Sequence, residues 1–131
     1  MTTVDELRYG IRALLASHPA IRKLDEDGLR GADTLYVERY SYGFDRGIGH
    51  EARLKTQQNL WVHRDAVSLD ALKDIEHEVK PGYEKGEDPG RNSNLEQIPG
   101  FRQAPLICFY PKTIWEAVRV VHAAAGAGGR K

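Results

Sequence analysis

With 131 residues, 40% of them hydrophobic, the chain is long enough for one domain to bury a core without disulfides or a metal staple. One cysteine, Cys108, excludes an internal disulfide framework, and no cysteine and histidine cluster has zinc-finger spacing. The 19 Lys and Arg balance 19 Asp and Glu, so a nucleic-acid or membrane surface would have to come from how charge is distributed, not from its sum.

No run of about 20 apolar residues is present to span a bilayer. The opening MTTVDELRYG lacks the apolar stretch of a secretory signal, so a soluble, cytoplasmic protein without a membrane partner is expected.

From Thr3 to about Leu15, Val4, Leu7, Ile11, Leu14 and Leu15 recur at three- and four-residue steps, which predicts an amphipathic helix. Thr3 and Glu6 have the spacing of a capping box at its start, and His18-Pro19 breaks it. Residues 34 to 44 alternate, with Leu35 and Val37 on one face and Tyr36, Tyr40, Tyr42 and Phe44 on the other, as a strand does. Turn chemistry follows at Asp45 to Gly49. Ala52 to His63 then reads as the second arm of a long hairpin, or Asn59 to His63 as a separate buried strand.

Ser68 is placed to cap a helix reaching about Val79, with Leu69, Leu72, Ile75 and Val79 on its apolar side and His77 on its polar side. Residues 82 to 104 form a connection whose length, inside a compact domain, implies function or disorder, and its second half is rich in order-promoting residues. Pro105 to Tyr110 is a short apolar run expected of a strand covered on both faces. Thr113 and Glu116 form a second capping pair, opening a helix with Ile114, Trp115, Val118 and Val121 on its packing stripe.

These elements predict a single α+β domain over residues 1 to 125, with a flexible glycine-rich tail at 126 to 131. The sheet is expected to be mixed: a long hairpin plus a right-handed parallel βαβ crossover made of strand 59 to 63, helix 68 to 79 and strand 105 to 110, covered by about three helices. Trp61 and Trp115 are expected to anchor helices on it.

Two segments point to anion chemistry. Ser93 and Glu96 have capping-box spacing, which would set Arg91, Asn92, Ser93 and Asn94 at a helix start, where free amides and an arginine favour phosphate or carboxylate. The same residues also suit Asx-turns, with Arg91 paired to Glu87 or Asp88. In the hairpin, Arg39, Tyr40, Tyr42, Arg46, His50, Arg53 and Lys55 interleave aromatics with cations, as single-strand nucleic-acid platforms do. A solvated face of ion pairs, or a tyrosine face buried under a helix, accounts for them equally.

Catalytic fragments are weaker. Asp45, Glu51 and Lys55 depart from the carboxylate-x-lysine step of metal-dependent nucleases. His50 with Asp45, or His63 with Asp65, could form an acid-base pair, but Ser93 and Cys108 lack the setting of a nucleophile. No histidine pair has metal-ligand spacing, and no cofactor is implied.

The sequence thus predicts a small binding module for an anionic partner, most plausibly DNA or RNA. Its contacts would be Arg91, Asn92, Ser93 and Asn94, positioned by Arg46, Arg53, Lys55 and Arg102. The alternatives are a protein-interaction or inhibitor module and a metal-dependent nuclease or hydrolase.

Overall fold

The computed structural model describes residues 3–24, 37–87, 95, 98 and 100–126. Helix α1 (Val4–Ser17) begins with the predicted capping box: the Glu6 amide donates to Thr3 Oγ1 at 3.0 Å, and the Thr3 amide donates to the Glu6 carboxylate at 2.9 Å. Strands β1 (Arg22–Lys23), β2 (Glu38–Gly43), β3 (Arg46–Glu51) and β4 (Asn59–His63) follow. After β4 come a 3-10 turn, a one-turn helix α2 (Leu69–Leu72), then β5 (His77–Lys80), β6 (Leu106–Phe109) and α3 (Ile114–Ala125). At the start of α3 the Glu116 amide donates to Thr113 Oγ1, while the Glu116 carboxylate caps the Lys112 amide.

The α+β class holds, but the parallel βαβ crossover is corrected. The strands form one sheet in the order β1-β2-β3-β4-β6-β5, and every neighbouring pair is antiparallel. The helix expected over 68 to 79 stops after one turn at Leu72, and His77 to Lys80, with Val79 and His77 among them, form strand β5. As an edge strand, β6 would leave half its backbone donors and acceptors without a ladder partner beside a buried apolar run. Placing β5 outside it satisfies them, and the long 81 to 105 connection lets β6 run antiparallel to both β4 and β5. Of the two hairpin readings, the separate Asn59 to His63 strand is the one found, and the expected turn at Asp45 to Gly49 contracts because Arg46 already begins β3.

Both faces of the sheet are covered. On one face, Leu7, Ile11 and Leu15 of α1 and Ala117, Val120 and Val121 of α3 pack over Tyr40, Ile48, Leu60, Val62, Ile107 and Phe109. This puts Tyr40 in the core beneath a helix and removes it from any stacking platform. On the other face, Leu95, Ile98 and Phe101 from the long connection pack over Val37, Trp61, Leu106 and Cys108.

Gly49 permits that approach, since a Cβ there would come within 2.8 Å of Leu95 and 2.9 Å of Ile98. Gly100, at φ +77°, turns the connection against the β2-β3 hairpin tip, where a Cβ would overlap the Asp45 carbonyl.

Trp61 is 5% exposed but is covered by the connection, not by a helix. Trp115 is 67% exposed and anchors nothing in the core, because it lies about 160° around the helix from Ala117 at 100° per residue. Among the described residues, no helix is long and apolar enough to cross a membrane.

Candidate functional site

Residues 52 to 58 join β3 to β4, and their shape follows from where their carbonyls go. The Arg8 guanidinium of α1 donates to Ala52 O at 2.6 Å and to Leu54 O at 2.8 Å. From the inside, buried Gln58 donates its amide to the same two carbonyls at 3.2 Å each. With these carbonyls held inward from both sides, Arg53 and Lys55 stand exposed. Among the described residues, neither has a hydrogen-bond or ion-pair partner.

Arg12, one turn along α1 from Arg8, forks onto the Glu38 carboxylate of β2, with its shortest contact at 2.6 Å. Burial alone would raise the Glu38 pKa. The Arg12 hydrogen bonds, with the charges of Lys23, Arg12 and His50, outweigh it and hold the carboxyl below its usual value.

Together these residues line an open depression of about 550 Å³ formed by Asp5, Arg8, Arg12, Ala52, Arg53 and Lys55. Through Arg12 it adjoins a groove of about 590 Å³, to which Arg22 and Lys23 of β1 add their charge over Leu15, Ile21 and Tyr40. Among the described residues, six cations line the two depressions, with the acids Asp5 and Glu38 beside them both engaged by arginines.

Beneath this surface lies His50, fully buried on β3. Its Nε2 lies 2.6 Å from Gln58 Oε1, and because that atom is a carbonyl oxygen, Nε2 carries the hydrogen. Its Nδ1 has no hydrogen-bond partner and sits 3.7 Å from Glu38. Burial pushes the His50 pKa down to about 4, against the opposing pull of the Gln58 bond and the Glu38 charge. The ring is therefore neutral at pH 7, a strut behind Gln58 and the 52 to 58 turn.

Of the predicted site residues, the four that the structure describes fall at three places. Arg53 and Lys55 share the α1 end of the sheet. Arg46 lies at the other end of β3, about 20 Å away at the rise of a strand, in an ion pair with Asp65 at 2.6 Å. Arg102 is exposed near Tyr83, Lys85 and Gln103 beside the long connection. Arg91, Asn92, Ser93 and Asn94 lie outside the described residues, as do Leu35, Tyr36 and the tail beyond Gly126. Arg39 is buried on the face covered by the connection.

The residues that sequence reasoning missed are Arg8, Arg12, Arg22 and Lys23. Arg8 and Arg12 carried a legible signal, since their i, i+4 spacing sets both on one flank of the apolar stripe of α1.

The catalytic fragments do not assemble either. Asp45 lies in the turn before β3 and Glu51 at the far end of that strand, and the Glu51 carboxylate accepts from Asn59 Nδ2 at 2.6 Å and from the Trp61 indole at 2.8 Å. His63 packs edge-on against Phe101 at 4.8 Å, while Asp65 is taken by Arg46. Burial pushes the Cys108 thiol up, away from thiolate chemistry. Among the described residues, no group of three or more His, Cys, Asp or Glu side chains could hold a metal ion.

No family model matches this sequence, and neither a curated protein nor a solved structure does.

Proposed function

We propose that the protein is a binding module for an anionic polymer, nucleic acid in particular, and that it engages the phosphate backbone through Arg53, Lys55, Arg8 and Arg12, extended by Arg22 and Lys23. The supporting observation is that the two depressions share Arg12, so that among the described residues of a net-neutral chain six basic side chains line adjoining surfaces. Arg8 is fixed by three hydrogen bonds, two to backbone carbonyls and one to Asp5, so the turn carrying Arg53 and Lys55 is held in place before a ligand arrives. Tyr40 is buried and Tyr42 is packed partly buried against the same core, so the recognition expected is of backbone charge with little base selectivity.

Fluorescence anisotropy with single- and double-stranded DNA and RNA tests this reading. Binding that weakens at least about tenfold between about 50 and about 200 mM salt supports it. An absence of binding at the lower salt rejects it.

A second reading, docking of a protein partner, is favoured by a different observation. Tyr9 is 78% and Trp115 67% exposed on the helical layer, and Ile114 beside Trp115 reaches Gly10 of α1. A salt-insensitive protein complex weakened by Trp115→Ala, with no nucleic-acid binding, would favour it.

A further inference from the structure

Strand β5 is the outer strand of the sheet, and among the described residues no strand pairs with its free side. Two backbone bonds fix the phase of the ladder beside it. The Tyr110 amide donates to Glu76 O at 2.8 Å on the β5 side of β6, and the Arg64 amide donates to Pro105 O at 3.0 Å on the β4 side. With Val79 opposite Ile107, the amides and carbonyls of Glu78 and Lys80 therefore turn inward to β6, and those of His77 and Val79 turn outward. The Val79 side chain, 43% exposed, lies on the helix-covered face, while Glu78 and Lys80 lie on the other with their charged ends 3.2 Å apart.

We propose that this edge pairs with the same edge of a second copy of the chain, antiparallel, about a two-fold axis at Val79. Each Val79 then gives its outward amide to the other's carbonyl, and the two exposed valine side chains meet. In that register Glu78 stands opposite Lys80 of the second copy, reciprocally. The neighbouring registers that keep the same hydrogen-bond phase are shifted by two residues. They place Glu78 against Glu78 or Lys80 against Lys80, like charges directly opposite, which disfavours both. Charge patterning thus selects one alignment, and Pro81, which has no amide to give, ends it.

The two sheets become continuous with both helix layers on the same side. The axis lies at the opposite edge of the sheet from β1, so the proposal does not depend on the basic surface.

Sedimentation velocity of the full chain from about 10 µM to about 1 mM tests it, with a concentration-dependent monomer-dimer equilibrium expected. Val79→Pro removes only an outward amide, and is expected to weaken the dimer at least about tenfold. Because proline can disturb the strand itself, charge reversal supplies a second arm. Glu78→Lys should weaken association, and Glu78→Lys with Lys80→Glu should recover it. A monomer across the whole range, a dimer unchanged by Val79→Pro in a folded variant, or a double reversal no tighter than the single one would each overturn the proposal.

Discussion

The two faces of the sheet are buried equally well by different means. Over one, α1 and α3 lay periodic apolar stripes across Ile48, Leu60, Val62 and Phe109. Over the other, the long connection delivers Leu95, Ile98 and Phe101 onto Trp61, Leu106 and Cys108. A helix can present a stripe because its own backbone bonds are satisfied internally. The connection instead relies on short turn bonds, such as the Ile98 amide to Leu95 O and the Phe101 amide to Ile98 O, and on glycines that admit it closely. The difference teaches that the long loop is a structural layer of this fold, so burial there does not by itself indicate a site.

The largest effect expected from this comparison is parity between the faces. Phe101 and Phe109 are both fully buried. Replacing either with alanine should cost about 3–5 kcal/mol in urea unfolding. A loss below about 1 kcal/mol for Phe101→Ala alone would show that the connection is a loose cover.

A pH effect is expected on the helix-covered face. His50 is held neutral, with a folded pKa near 4 against an unfolded value near 6.5, so the unfolded state binds more protons between those limits. Stability from this group is complete above about pH 6.5 and declines as pH falls toward 4, by about 3 kcal/mol at most. Unfolding midpoints at about pH 7 and about pH 4.5 should therefore converge in His50→Gln relative to the native chain. An equal acid loss in both proteins would contradict the assignment.

Smaller effects probe close approach and exposure. Gly49→Ala forces Leu95 and Ile98 aside and should cost about 1–3 kcal/mol by thermal melting. Trp115→Ala, in spite of its size, should change stability by no more than about 0.5 kcal/mol because the ring is largely exposed.

What could be read in the sequence follows the same division. The ends of α1 and α3 were legible because Thr3, Glu6, Thr113 and Glu116 carry the capping chemistry locally. Strands β4 and β6 were legible as short apolar runs. Strand β5 was not, because Leu69, Leu72, Ile75 and Val79 fit a helical period while Ile75, His77 and Val79 also fit a strand, and only pairing with β6 decides between them. Trp115 misled because size suggested burial, whereas the small Ala117 marks the true packing stripe of α3. Two of the six basic side chains, Arg53 and Lys55, were visible. Arg8 and Arg12 needed the α1 flank brought against the 52 to 58 turn, a contact between residues more than 40 positions apart.

The most direct test of the account compares the two ends of β3 by the salt dependence of nucleic-acid binding. Arg53→Ala with Lys55→Ala should weaken binding and lower the slope of log affinity against log salt by about 2, whereas Arg46→Ala with Arg102→Ala should leave both nearly unchanged. The reverse pattern, with loss confined to Arg46 and Arg102, would contradict the placement of the binding surface on α1 and the 52 to 58 turn.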